Sequence, residues 1–368
     1  MLPSSFLKLN TAIYEWTKEC PPDLKRDLDM FLASNDFLDR PNIFFKGIED
    51  SSKKWVALIS VAGAESSRQM ASQRLGYQFM ELHQDETTTF SLLSPAPRMP
   101  VHAAYNKFLK DIIKANKIDR TKAKVEGWKR TLDRAAEMVA AAPQQPPSSP
   151  EDSNSTDTTT TTAAAVALPP STLLTSLKPG ERSAASYGMW FISVDIESFE
   201  RDHSKILEIG WSVWDSRMHK FADRHYAISE YRHLKNGKFV NDRRDRYIFG
   251  ETVWARLNEC IAAFQADLDM AAKRNSEGLF ALIAHDMSSD EAYLKGMGIV
   301  FPEGMVKFDT MELNCARVGD AAKVGLGKSL DELNIDNYSL HNAGNDAHYT
   351  LELFLWLARN HLTQRSLQ

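Results

Sequence analysis

From Ala140 to Ser186 the chain reads AAAPQQPPSSPEDSNSTDTTTTTAAAVALPPSTLLTSLKPGERSAAS. A segment this rich in Pro, Ser and Thr, with five consecutive threonines, has too little apolar surface to offset the entropy of ordering it. It is expected to be a disordered tether, and it constrains the chain to fold as separate pieces. These are a region over residues 1–139, the linker over 140–186 and a domain over 187–364.

The first piece reads as mostly helical. FLKLNTAIYEW and DLKRDLDMFLAS have helical apolar spacing, KWVALISVA reads as a lone strand, and VHAAYNKFLKDIIKANK and DRTKAKVEGWKRTLDRAAEMVAAA read as two longer helices. Lys107 to Arg134 holds ten Lys or Arg against four Asp or Glu. Such a surplus suits either a solvated helix face or contact with phosphates. These helices are also a place where protein partners could dock.

After the tether the period changes. MWFISVDIE, KILEIGWSVWD and KFADRHYAIS are three successive strands rich in Ile, Val, Trp and Phe. Trp254, Leu257, Ile261, Phe264 and Leu268 then recur at helical spacing. LFALIAHD and VKFDT are further strands, a short helix runs through Tyr293 and Leu294, and KSLDEL opens a helix with Ser329 and Glu332 spaced as a capping box. A strand meander followed by helix–strand units predicts an α/β domain with a five-stranded mixed sheet flanked by helices.

The totals exclude some classes. Basic and acidic residues number 44 and 49, so no global charge marks a nucleic-acid binder. Cys20, Cys260 and Cys315 fit neither a disulfide ladder nor zinc spacing. No run approaches the ~20 apolar residues of a membrane span, so an intracellular protein of nucleus or cytoplasm, with no membrane partner, is expected. VGLGKS falls short of a phosphate loop because Ala322 stands where glycine is required.

The chemistry-bearing residues are carboxylates. Asp195 and Glu197 stand two apart at the end of an apolar strand, hence on one face. Two like charges at a buried strand end repel and are costly to desolvate, and a hard divalent ion relieves both penalties. Asp290 follows the strand LFALIA. His341 and Asp346 lie at the start of the last helix, in HNAGND, where a helix cap explains one or two of these polar residues but not all of them. Phe199, just past Glu197, suits stacking on a base or packing in the core. Arg243, Arg244 and Arg246 in YRHLKNGKFVNDRRDRYIFGE suit guidance of a nucleic-acid backbone or a solvated loop. His203, His219, His225 and His233 lack ligand spacing and read as surface groups, and Trp211 and Trp214 as core.

In their joint order, D-x-E, AHDMSSD and HNAGND, the residues from about Gly188 to Leu362 resemble the DEDDh class of 3′–5′ exonucleases, which have a ribonuclease-H-like fold. The resemblance implies metal ligation by Asp195, Glu197, Asp290 and Asp346. It also implies two Mg²⁺ or Mn²⁺ ions, His341 as general base, and hydrolysis of single-stranded RNA or DNA. Two departures stand out: Asp286 occupies a position usually held by asparagine and competes with Asp290 as a ligand, and Ser289 replaces an aromatic. HNAGNDA, DIESFE and DRYIFGE most resemble a fungal subfamily, Good-for-full-Dbp-five-activity-like, linked by name to mRNA export. That likeness leaves open an inactive nucleic-acid- or protein-binding module in RNA processing or export.

Overall fold

The computed structural model describes residues 3, 5–83, 87–99, 102–141, 189–216, 219–274 and 280–366. Nearly all of the expected disordered linker, residues 142–186, lies outside the described residues. Contacts divide the chain into two compact units, 1–123 and 124–368.

The first unit contains β1 (Phe6–Lys8), α1 (Leu9–Glu19), α2 (Lys25–Leu32), α3 (Asn35–Leu38), β2 (Phe44–Glu49), β3 (Lys54–Ser60), α4 (Val61–Leu75), β4 (Phe90–Pro95) and the beginning of α5 (His102–Ala141). Helices dominate it, but KWVALIS is no lone strand: β3 lies in a four-stranded sheet of order β1-β3-β2-β4. Its partners, three to six residues long, are too short to show a period of two. Nor is the basic stretch two helices. Without proline or glycine between Lys107 and Glu126, it continues through Asp119 as one helix of 40 residues.

From Lys124 onward α5 belongs to the second unit. There Val125, Trp128, Leu132, Ala135, Met138 and Val139 join a buried core with Phe191, Phe308, Leu313, Leu351 and Phe354. Leu132 is 2% exposed. Leu132→Ala is therefore expected to lower the stability of this unit by about 2–5 kcal/mol, transfer and cavity terms together. Urea denaturation of the full chain, followed by tryptophan fluorescence, would measure the loss.

The second unit continues with β5 (Trp190–Phe199), β6 (Asp202–Asp215), β7 (Lys220–Ile228), β8 (Val253–Ala255), α6 (Leu257–Arg274), β9 (Ala281–Ala284), α7 (Met287–Gly296), β10 (Val306–Asp309), α8 (Thr310–Val318), α9 (Leu326–Glu332) and α10 (Ala343–Ser366). These strands form a six-stranded sheet of order β10-β9-β5-β6-β7-β8. β5, β6 and β7 make the antiparallel meander, while β9 and β10 add in parallel beside β5. This is the ribonuclease-H-like arrangement. The sixth strand, β8, pairs in parallel with β7 through three residues. It takes Trp254, which the helical spacing assigns to α6. That helix starts later because the Glu259 carboxylate accepts the Arg256 backbone N–H at 2.7 Å and fixes the first turn there. The spacing of Ser329 and Glu332 does not make a capping box either. Ser329 is buried inside α9 and its hydroxyl donates to the Gly325 carbonyl at 3.1 Å.

β5 is apolar on both faces because both are covered. Trp190, Ile192, Val194 and Ile196 pack with Phe264 and Leu268 of α6 and Leu294 of α7. The alternate residues face α10: Phe191 meets Phe354 at 5.3 Å between ring centroids, and the Ser193 hydroxyl donates to the Ala347 carbonyl at 2.5 Å. β5 and α10 thus run antiparallel. Continuing two residues at a time along that face brings Asp195 and Glu197 to the amino-terminal turn of α10, where Asp346 sits.

Candidate metal-binding cleft

Asp195 and Glu197 share the α10 face of β5, and the strand ends in two register shifts just after Glu197. Asp195 lies opposite Gly210 of β6, and Glu197 opposite Glu208. Gly210 is required there. A Cβ would stand 2.1 Å from the Ala343 carbonyl carbon and oxygen, so only glycine lets the start of α10 rest on β6. Because the clash is with backbone, Gly210→Ala is expected to cost about 3 kcal/mol and displace Asp346. Thermal melting with and without Mn²⁺ reads both effects.

Asp346, 7% exposed, lies in the first turn of α10. Its Oδ2 accepts the His341 backbone N–H at 2.9 Å, while its Oδ1 is buried without a partner. His341, in the left-handed region with a φ of 66°, is exposed at the cleft rim. Glu197, His341 and Asp346 each offer a ligand atom, and these atoms lie within 4.8 Å of one another. Asp290 enters from the first turn of α7, is 6% exposed and accepts a hydrogen bond from the Ile196 backbone. The start of α7 is held by Asp309, whose carboxylate accepts the backbone N–H groups of Asp286, Met287 and Met311, capping α7 and α8 together. Asp286 itself turns toward Lys323, 3.5 Å away, and is far less buried than Asp290.

Electrostatically the cleft is starved of positive charge. Burial, then the neighbouring Asp346, Asp290, Glu197 and Glu208 carboxyls, holds Asp195 well above the usual carboxylate range. Burial followed by Glu208 and Asp242 pushes Glu197 up to about 7. Asp346 rises to about 8, chiefly through burial, against the help of the His341 N–H and the Arg243 guanidinium. Asp290 is raised by burial and by Glu197. One oxygen each of Asp195 (Oδ2) and Asp346 (Oδ1) is buried with no hydrogen-bond partner. Hard oxygen donors, mutual repulsion and unsatisfied lone pairs are the conditions a hard divalent cation relieves. The residues fit Mg²⁺ or Mn²⁺.

Beneath the cleft lies a network the sequence conceals. His225 is buried, not on the surface. Its Nε2 lies 2.8 Å from Glu208 Oε2 and its Nδ1 2.9 Å from the Thr252 hydroxyl. Burial pushes the Glu208 carboxyl up and the His225 imidazole down, each toward its uncharged form. Glu208 also accepts the Ala343 backbone N–H at 3.3 Å, tying β6 to α10. A lone carboxylate inside the apolar run ILEIGWSVW is the signal that marks Glu208.

The two asparagines of HNAGND are clamps. Asn342 Nδ2 donates to the Arg243 carbonyl and Asn345 Nδ2 to the Arg246 carbonyl, each at 2.9 Å, while Asn345 Oδ1 accepts the Ile248 N–H at 3.1 Å. They fix the loop carrying Arg243 beside His341. Partial burial, and then that guanidinium, hold the imidazole below its ordinary value. Arg243 and Arg246 line a polar cavity of about 480 Å³ with Asn241, Asp242, Asp245 and Ser339. Arg244 is not available to a phosphate: 4% exposed, it is spent on Asp242 and the carbonyls of Tyr231 and Leu234. Phe199 is half-buried where β5 ends. The three cysteines are free and buried. Among the described residues no helix is long and apolar enough to cross a membrane.

A family model described as DNA polymerase III subunit epsilon-like, C-terminal domain, of the DEDDh type, matches residues 190–357. Good for full DBP5 activity protein 2 of Saccharomyces cerevisiae is 31% identical over 193 residues, covering 44% of this chain and 34% of that protein. The nucleolar protein C2C4.08 of Schizosaccharomyces pombe is 29% identical over 174 residues, covering 44% and 66% respectively. Protein YDR514C of S. cerevisiae is 29% identical over 194 residues, covering 45% and 40%. The chain thus spans from about one third to two thirds of the length of the curated relatives it matches.

Proposed function

We propose that residues 190–357, which match the DEDDh-type family model and resemble the Good for full DBP5 activity protein 2 of yeast, are a metal-dependent 3′–5′ exonuclease domain acting on single-stranded RNA or DNA. The observation that carries the reading is the pair of orphaned buried oxygens, Asp195 Oδ2 and Asp346 Oδ1, among carboxyls all raised by burial and by one another. A fold without a cation to bind gains nothing from that cost.

Asp195, Glu197, Asp290 and Asp346 would hold two Mg²⁺ or Mn²⁺ ions. When bound, these supply Lewis acidity and neutralise charge at the scissile phosphate. His341, at the rim, receives the proton of the attacking water on an imidazole nitrogen. Partial burial, then Arg243, holds that imidazole below its ordinary value, and Arg243 offers positive charge to the phosphate. Arg246, which is exposed, extends that charge outward. The activity is placed on the second unit, whose core includes the end of α5, and the helices of the first unit would receive protein partners. The nucleolar relative supports a nuclear location.

A second reading rests on the second motif. Asp286 faces Lys323, and the exposed Ser289 leaves no aromatic there. In that reading the domain binds nucleic acid or protein in RNA processing or export without cutting.

The deciding experiment is degradation of 5′-labelled single-stranded RNA and DNA with Mg²⁺, Mn²⁺ or EDTA, beside Asp346→Asn. A metal-dependent ladder shortening from the 3′ end, absent in the variant, supports the nuclease. Silence from folded, metal-loaded protein on both strands sinks it and leaves the binding module.

A further inference from the structure

The segment Asn236–Phe239 is tied to the end of β5 by an unusual set of bonds. The Glu200 carboxylate, three residues past Glu197, accepts the backbone N–H groups of Gly237 at 3.2 Å, Lys238 at 3.0 Å and Phe239 at 3.0 Å. Successive N–H groups converging on one anion form a nest, a strong local anchor. Asn236 completes it: its Oδ1 accepts the Glu200 N–H at 2.9 Å and its Nδ2 donates to the Ser198 carbonyl at 3.0 Å. The loop is therefore positioned by the same strand that presents Asp195 and Glu197.

What this anchored loop displays is a bare aromatic ring. Phe239 is 73% exposed, the most exposed large apolar side chain among the described residues. Lys238 Nζ lies 4.9 Å from its ring centroid. Phe199 and Trp254 are less exposed than Phe239. Phe199 is half-buried, and the Trp254 ring already carries the Arg232 and Arg244 guanidiniums at 4.6 and 5.7 Å. Fixing a backbone so firmly to leave a phenyl ring in water makes sense where the ring has a flat partner. A nucleic-acid base is flat, apolar on its faces and linked to a phosphate that suits Lys238.

We propose that Phe239 is a base-stacking platform for a single-stranded nucleic acid entering the cleft, with Lys238 contacting the adjoining phosphate. The proposal deepens the exonuclease reading and rests on it. Stacking does not depend on base identity, so the platform holds any sequence but discriminates against duplex, whose bases expose no free face. Phe239 and not Phe199 becomes the residue that determines strand type.

The test measures binding of 5′-labelled single strands by the full chain in the Asp195→Asn background, which leaves the strand intact. Phe239 and Phe239→Ala proteins are compared on intact strands and on strands with one abasic position scanned inward from the 3′ end. With Phe239 present, one abasic position should weaken binding about tenfold, the worth of one stacked base. Phe239→Ala should bind the intact strand about tenfold more weakly and be indifferent to that position, while Phe239→Trp restores both properties. Equal affinities of Phe239 and Phe239→Ala proteins, or an abasic effect surviving in Phe239→Ala, overturns the platform while the nuclease reading stands. If the Phe239 protein binds no single strand at all, the platform falls and the exposed ring serves another class of partner, while the nuclease reading is decided by the degradation assay.

Discussion

Asp195→Asn is expected to raise the melting temperature of the ion-free protein while abolishing both its stabilisation by Mn²⁺ and its nuclease activity. Asp195 shares a buried site with three further acids, and its carboxyl is raised by burial and by every one of them. Replacing one of these crowded, mutually repelling carboxyls by an isosteric amide relieves the repulsion without opening a cavity, so the melting temperature should rise. The sign with pH follows. Carboxyls whose folded pKa lies above the unfolded value contribute stability that is complete below the unfolded pKa, near 4, and is lost as pH rises through the folded one. With Glu197 at about 7 and Asp346 at about 8, ion-free wild type should lose stability progressively from about pH 4 to about pH 8, and Asp195→Asn should lose less. Bound Mn²⁺ reverses the wild-type loss by mass action and leaves the variant unchanged. Calorimetry at the two pH values, with and without Mn²⁺, checks all of this. A variant less stable than wild type, or one that still responds to Mn²⁺, would remove Asp195 from the metal shell.

The second large effect concerns His341. As the group that takes the proton of water, its loss in His341→Ala should lower the rate by about 10²–10⁴-fold. The imidazole is held below its ordinary value by partial burial and by Arg243. The acid limb of the pH–rate profile should therefore lie below the usual histidine range, with activity rising as the imidazole deprotonates. Arg243→Gln removes the nearby positive charge, so the limb should move to higher pH, in addition to any loss of phosphate affinity. A limb that stays in place in Arg243→Gln would mean that another group titrates, and His341→Ala with full activity would end its assignment as base.

Much of the cleft can be read along the chain because it rests on short-range periods. Asp195 and Glu197 fall on one face by strand alternation, and Asp346 lies one turn into a helix announced by LELFLWLA. The strand meander shows as three apolar runs with short polar connections. What cannot be read depends on which distant residues are brought opposite one another. Glu208 becomes part of the site only through its register with Glu197, and His225 only because β7 lays it against Glu208. The continuity of α5 through Asp119 and its passage into the second unit's core likewise rest on packing that composition does not encode.

The sequence by itself determined the strand meander, most helices of the second unit and the order of the acids, since apolar periodicity and side-chain chemistry are properties of neighbours. Only the tertiary structure decided their surroundings. It separated buried Asp290 from half-exposed Asp286, withdrew Arg244 into an ion pair, made clamps of Asn342 and Asn345, and left Phe239 bare at the end of a strand that Glu200 ties to it. Burial and partner choice are set by contacts across tens to hundreds of residues, and those contacts fix charge, proton position and access.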